Sequence, residues 1–342
     1  MNELMDYRLN HSLITDKKES VHSVLSHVIG IQAQYPNYAK INIINRLHEN
    51  AYSHFHHSLD HPETVMAWGQ RRTVHYYSKE DWLCLAVFFE REVKWPDKHL
   101  HNMGYSIDDE IKRMESLFSN RNPVEKKDLQ EYYQEEWKDL FHWSALFLKA
   151  SSEGNLYFKL KENKKYYYWN HFDEIQVDRK ELELKMLRQY FSAYGPATKA
   201  DAAHFFGVRQ SFFTIPFEEY FNVYQIEGIN YYYSDLQCSN QNPEVILLGK
   251  FDPLLLAYKD KRWIVSKDEE PQIWRKAAQV EAVVIINNKF AGTWRYKVRG
   301  GRVVFNVFLS KPVNKYLKGK IKEALQPFAF ALNKEFHAVE FL

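Results

Sequence analysis

The chain has 342 residues, 45% of them hydrophobic and 16% aromatic, with 46 Lys+Arg against 44 Asp+Glu. This is long enough for two or three domains with real cores, and no segment is apolar enough to span a membrane. The start, MNELMDYRLNHS, lacks the blocks of a secretory signal, and Cys84 and Cys238 match no zinc or redox spacing, so a reduced, cytoplasmic setting is expected.

Residues 1–104 read as an N-terminal winged-helix-like module, with helices expected near 18–29, 38–48 and 62–70, then a short strand, TVHYY. A further helix, EDWLCLAVFFEREV, is expected to act as a packing connector. Between the first two helices stands GIQAQYP, residues 30–36. Gly30 is a natural helix stop, because glycine takes the left-handed conformation at no steric cost. Pro36 discourages helix in the residue before it. Gln32 and Gln34 are therefore expected on an extended link, where residues two apart point to the same side. The histidine-dense HFHHSLDH follows, with His57 and His61 at helical spacing, but no cysteine or paired carboxylate completes a ligand set, so no metal is expected.

Two middle segments repeat one plan of three helices and a hairpin, which is that of a winged helix. In residues 105–176 the helices are SIDDEIKRMESLF, VEKKDLQEYYQEE (with Asn122-Pro123 marking its start) and FHWSALFLKAS; the hairpin is LYFKLKENKKYYYW. In residues 177–240 they are ELELKMLRQYFSAY, ADAAHFFG and a candidate in VRQSFFTIPFEEYF, before a hairpin turning at Glu227-Gly228. From residue 241 the pattern changes to strands: VILLG, RWIVS, AVVIIN, FAGTWRYKV and RVVFNVF, with Asn287-Asn288 and Gly300-Gly301 as turns. A helix over about 312–333 and a final strand, FHAVEFL, close the chain. The expected fold class is α+β: tandem winged-helix modules scaffolded by an all-β, barrel-like domain with a covering helix.

Charge is unevenly spread: from residue 241 onward 18 Lys+Arg stand against 10 Asp+Glu, leaving that part at +8 and the remainder at −6. Such asymmetry fits either a polyanionic partner on one face or an uneven solvated surface. In RYKVRGGR, Arg295, Lys297 and Arg299 alternate before the Gly-Gly turn and Arg302 follows it. On a strand the three would share a face, either along a phosphate backbone or guarding a sheet edge. The wing lysines Lys159, Lys161, Lys164 and Lys165 carry the same two readings. The aromatic clusters YYYW and YYY read as core-facing strand halves more readily than as base-stacking platforms. No glycine-rich nucleotide loop, nucleophile elbow or HExxH motif occurs.

Five segments in order resemble those of the AlkZ/YcaQ-like DNA glycosylases, a winged-helix superfamily. GIQAQYP is similar to G-ϕ-Q-A-Q, QRRTVHYYSKEDW to the R-G-T-L-H segment, and AYGPATKADAAHFFG to A-Y-G-P-x-T-x-x-D-x-x-x-W-x-G. LLGKFDPLLLAYKD resembles L-L-P-x-F-D-P-L-L, and FAGTWR resembles G-T-W-R. The matches span nearly the whole chain. The resemblance implies monofunctional removal of N7-alkylated purines, 7-methylguanine-type or bulky, from double-stranded DNA; it leaves open whether interstrand crosslinks, unhooked by one member of the family, are also substrates here. It implies no cofactor, and a monomer at the nucleoid of a bacterial cytoplasm.

By resemblance, Gln32 and Gln34 are the catalytic Q-x-Q pair, where some relatives carry Q-x-D. Arg71, Thr73 and His75 fall on the R-G-T-L-H motif and are expected at the substrate, with Arg295, Lys297, Arg299, Arg302, Lys161 and Lys164 on the DNA. Asp252 matches the F-D-P aspartate, a candidate support for the active site. Arg72 replaces the usual glycine, Phe206 a tryptophan and Gly249 a proline. A non-enzymatic winged-helix protein, either a regulator or a damaged-DNA binder, is the alternative reading.

Overall fold

The computed structural model describes residues 2–89, 94–162, 164–171, 178–235 and 242–342, so Cys238 lies outside the described residues. In chain order the N-terminal part runs α1 (Asn2–His11), α2 (Val21–His27), β1 (Ile31–Gln32), α3 (Pro36–Ile44), α4 (Phe55–Asp60), β2 (Thr64–Trp68), β3 (Val74–Ser78), α5 (Lys79–Phe89) and α6 (Trp95–Asn102). Then come α7 (Ile107–Asn120), β4 (Val124–Glu125), α8 (Lys126–Tyr133), α9 (Trp137–Leu140), α10 (Ala145–Ser152), and the hairpin of β5 (Leu156–Lys161) and β6 (Lys164–Trp169). A third stretch holds α11 (Arg179–Tyr194), α12 (Lys199–Phe206), α13 (Phe217–Tyr220), β7 (Asn222–Ile226) and β8 (Ile229–Tyr233). The rest comprises β9 (Val245–Leu248), α14 (Pro253–Leu256), α15 (Glu270–Ile273), β10 (Trp274–Arg275), β11 (Gln279–Val280), β12 (Ala282–Ile286), β13 (Lys289–Arg299), β14 (Arg302–Leu309), α16 (Lys315–Ala331) and β15 (Glu335–Phe341). No helix among the described residues is long and apolar enough to cross a membrane.

One six-stranded sheet, ordered β1-β3-β2-β5-β6-β4, joins the N-terminal strands to the first hairpin through the Met66–Phe158 pairing. The two segments that the sequence separates at residue 104 thus share a hydrogen-bonded ladder. The helix expected over 62–70 is strand β2. All five of its residues are buried, so no alternation of polar and apolar side chains marks it as a strand. The helix expected from Asn122-Pro123 starts only at Lys126, where Glu125 and Asp128 form a reciprocal capping box, an arrangement that satisfies two otherwise unpaired N–H groups. In VRQSFFTIPFEEYF the expected third helix is a single 3-10 turn, Gln210–Phe212, and the four-residue α13. Pro216, which has no N–H to continue a helix, separates the two.

The C-terminal sheet is open, not barrel-like: its order is β15-β14-β13-β12-β9, and the edges β15 and β9 do not pair. The chain leaves β14 through α16 and returns in β15 parallel to β14, so the crossover adds a strand to one edge and α16 covers one face. Phe328 of α16 stacks on Trp294 of β13 at 5.4 Å between ring centroids. RWIVS is a tight turn instead of a strand, with Trp263, Ile264 and Val265 all buried and the Val265 N–H bonded to the Lys261 carbonyl. Both turn pairs take the expected left-handed backbone, Asn287 and Asn288 at φ 50° and 60°, Gly300 and Gly301 at 54° and 85°.

Helix α11 ties the parts together through buried phenols. Tyr194 donates to the Val28 carbonyl of α2's end (2.8 Å), Tyr190 to Ala257 (2.9 Å), and Tyr258 back to Tyr194 (2.9 Å). A buried tyrosine hydroxyl without such a partner would cost about 1–3 kcal/mol. Phe206, in the place of the pattern's tryptophan, packs edge-on against Phe88 and Phe89 of α5.

Candidate active site

Helix α2 is capped by Val28, and Ile29 and Gly30 follow with φ 55° and 82°. The Gly30 N–H bonds the Leu25 carbonyl at 2.8 Å. A Cβ on Gly30 would lie 2.4 Å from the Tyr77 ring, so space as well as φ demands glycine. The chain then pairs antiparallel with β3, Ile31 opposite Tyr76 and Gln32 opposite His75. Directly opposed residues share a sheet face, which sets His75 beside Gln32.

Gln32 and Gln34 are brought together on one side of the link, Gln32 Nε2 to Gln34 Oε1 at 3.4 Å. Gln32 is 5% exposed, whereas Gln34 is open to solvent. Arg71 sits behind them: its Nη2 donates to Gln32 Oε1 at 3.1 Å and its Nη1 to the Phe205 carbonyl at 3.0 Å. Because a guanidinium only donates, the Arg71 contact fixes the Gln32 amide with oxygen toward Arg71 and nitrogen toward Gln34. Burial pulls the Arg71 guanidinium down to about 10, which leaves it charged at neutral pH.

His75 is 2% exposed, stacks on Tyr77 and lies 2.9 Å through Nδ1 from the Thr73 carbonyl. A carbonyl accepts, so Nδ1 carries the proton and Nε2 is left as an acceptor. Burial, and then the charge of Arg71, push the imidazole down to about 3. Thr73 turns its hydroxyl to the Gln70 carbonyl at 3.2 Å.

Arg71 and Arg72 both lie in the left-handed region, φ 54° and 59°. The glycine of the family pattern thus answers a backbone need at residue 72, and Arg72 meets it with strain while its side chain stays exposed. Gln70, which the sequence reading passed over although it opens QRRTVHYY, is 2% exposed. It donates to the Ile29 carbonyl at 2.9 Å and accepts from the Tyr77 hydroxyl, pinning the arginine turn to the glutamine link. Lys261 was also passed over. Burial and the nearby Arg71 charge draw Lys261 down to about 8.

Asp252 lies apart from the amides. It is fully buried, caps α14 by accepting from Leu254 N (2.9 Å), and grips Arg46 through both oxygens at 2.7 and 2.8 Å. Gly249 stands against Asn42, its N–H donating to Asn42 Oδ1 at 2.9 Å. A proline there would have no N–H to give.

The basic hairpin residues are less uniform than their alternation implies. Lys297 and Arg299 are exposed with no carboxylate partner among the described residues, whereas Arg302 pairs with Glu335 (3.0 Å) and Arg295 reaches Glu281 (3.4 Å). In the wing, Lys161 and Lys164 face each other, exposed, at the hairpin end. Lys159 is buried and donates to the carbonyls of Asp60 (3.0 Å) and His61 (2.7 Å), which removes it from any external contact. Lys165 lies over the Phe158 ring.

The sequence matches the protein-family model described as "DNA glycosylase AlkZ-like" over residues 25–330. Among solved structures, the Streptomyces sahachiroi DNA glycosylase AlkZ is similar with a TM-score of 0.76 at 15% identity, covering 100% of this chain and 99% of that one. At that identity the likeness is one of fold, and it agrees with a mixed α+β architecture. No curated protein sequence matches the chain.

Proposed function

The chain belongs to the AlkZ-like DNA glycosylase family, and on that premise we propose that it hydrolyses the N-glycosidic bond of N7-alkylated purines in double-stranded DNA, with Gln34 holding the attacking water and Gln32 positioning Gln34. The observation that carries this reading is the hydrogen-bonded row Arg71–Gln32–Gln34, buried at one end and open at the other.

An N7-alkylated purine is cationic and leaves as a neutral base, so the leaving group needs little acid help. What remains is to place water at C1′ as the sugar gains oxocarbenium character. Gln32 Nε2 occupies one acceptor direction of Gln34 Oε1; the other is free to accept a hydrogen from the water, whose lone pair then faces C1′. The water oxygen bonds C1′, the C1′–N9 bond breaks, and the water's spare proton passes to solvent. Neither amide ionises, and the neutral His75 beside them adds no charge to repel the sugar cation.

The helices α7, α8 and α10 with hairpin β5–β6 support a winged-helix reading of residues 105–176. The helices α11 and α12 with hairpin β7–β8 support it for 177–240. Lys161, Lys164, Lys297 and Arg299 then grip phosphates, with affinity falling steeply as salt rises. Bulky adducts and crosslinks fit the same reading because Gln34 faces open solvent. The protein works as a monomer at the bacterial nucleoid.

Single-turnover release of 7-methylguanine from duplex DNA tests the assignment. Gln34→Ala and Gln32→Ala should each slow release about 100-fold or more, the scale seen when one oriented polar group leaves an active site, with duplex binding retained. Unchanged rates in both variants would remove the assignment. Duplex binding with no base release by the unaltered protein would favour the non-enzymatic binder.

A further inference from the structure

Tyr35 directly follows Gln34 and leads into a group of three cations gathered on one carboxylate. Glu281, between β11 and β12, has a side chain 6% exposed, with Oε2 2.9 Å from Lys250 Nζ and Oε1 3.3 Å from Arg275 Nε and 3.4 Å from Arg295 Nη2. Among the described residues these three side chains have no other carboxylate, so three positive charges meet one negative charge. The Lys250 ammonium lies 5.7 Å from the centre of the Tyr35 ring, which stacks on Phe251. The Tyr35 hydroxyl donates to Gln279 Oε1 at 3.0 Å, two residues before Glu281. The cluster is thus fastened to the residue beside the amide pair.

Arg275 and Arg295 are 47% and 48% exposed. Each gives Glu281 one nitrogen, and the remaining N–H donors of each fork are free for a second acceptor. Guanidinium forks match the oxygen pairs of a phosphate, and a carboxylate that holds two of them side by side fixes their approach before the ligand arrives. Single-stranded spacing puts a phosphate every 3.4 Å or so of rise along one strand, so a nucleotide with C1′ at Gln34 carries its own phosphates into the neighbourhood of Tyr35.

We propose that Lys250, Arg275 and Arg295 form a phosphodiester-binding site for the damaged strand, and that Glu281 is the positioning residue that gathers them. The proposal rests on the glycosylase reading for its location and deepens it. Arg295 thereby acts through a preset cluster instead of lying free along the hairpin.

The test is a salt series of binding titrations on undamaged duplex, with the unaltered protein, Arg275→Ala, Arg275→Lys and Glu281→Gln. Arg275→Ala should lower the slope of log affinity against log salt by about 0.9, the share of one phosphate contact, and Arg275→Lys should restore most of that slope. Glu281→Gln adds a net positive charge, so charge alone calls for tighter binding; loss of positioning calls for binding several-fold weaker. An unchanged slope in Arg275→Ala, or equal or tighter binding in Glu281→Gln, overturns the proposal. Melting curves check folding, and the exposed Arg275 carries the test alone if Glu281→Gln unfolds. Release of 7-methylguanine by the unaltered protein, followed in parallel, keeps the two readings apart. Release with an unchanged Arg275→Ala slope removes the phosphate site only, and a reduced slope without release removes the glycosylase reading only.

Discussion

His75 is an imidazole that the fold keeps uncharged beside the Gln32 amide, and that has a measurable cost. Its folded value of about 3 lies below the ordinary 6.5, chiefly because burial penalises the cation. As pH falls below about 6.5 the unfolded chain takes up a proton that the folded protein refuses, so stability is full above that value and is lost as pH falls toward 3. His27, also lowered by burial, acts in the same direction. Urea unfolding between pH 7.5 and 4.5 should therefore show a falling unfolding free energy, with a flatter profile in His75→Gln. A variant profile as steep as that of the unaltered protein would clear His75 of the effect. At this scale the sequence told much: GIQAQYP alone predicts a glycine-stopped link with two amides on one side. It could not tell that Gln32 is buried and Gln34 open, because Gln32 meets residues distant along the chain, pairing with His75 on β3 and accepting from Arg71, 39 residues away.

Helix α12 reaches the site through the residue that caps its C-terminus. Gly207 caps α12 with φ 72°, and a Cβ there would lie 3.0 Å from both the backbone nitrogen and Cγ of Arg71. Gly207→Ala should destabilise the protein by about 1–2 kcal/mol from backbone strain. It should also slow base release, since Arg71 must move off Gln32. Gly228, at φ 78° in a hairpin turn with nothing within 4 Å of the would-be Cβ, separates the two effects. Gly228→Ala should lower the melting temperature through strain alone and leave the single-turnover rate as it was. Element types followed the sequence wherever a turn or cap announced them: Asn287-Asn288, Gly300-Gly301 and the lysine-rich turn of β5–β6 all join the expected strands. They failed where burial erased the pattern. TVMAW is buried on both faces, Trp263–Val265 is an anchored turn, and Lys159 hides its ammonium among carbonyls. The open C-terminal sheet was hidden for another reason. Strand periodicity gives faces but not neighbours, and only the crossover through α16 decides that β15 extends an edge.

Across the whole molecule, the end of α3 and the start of α14 are joined by a charge pair with no access to water. Arg46, just past α3, gives Asp252 two hydrogen bonds and the carbonyls of Ser12 and Asn42 one each, so a single guanidinium ties the end of α3 to the loop after α1 and to the start of α14. Breaking one partner of a buried pair costs about 3–5 kcal/mol, because the other charge is left uncompensated. Asp252→Asn should lose stability on that scale in chemical denaturation, while the fraction that remains folded releases 7-methylguanine at the normal single-turnover rate. A slowed rate in fully folded protein would return Asp252 to the active site. The same seam constrains how this chain can change over generations. Asn42 bonds both the Gly249 N–H and the Lys250 carbonyl, so proline at 249 strands an amide oxygen unless position 42 changes first. The two sites are expected to have mutated in a fixed order, and to vary together in any lineage that crosses between glycine and proline here.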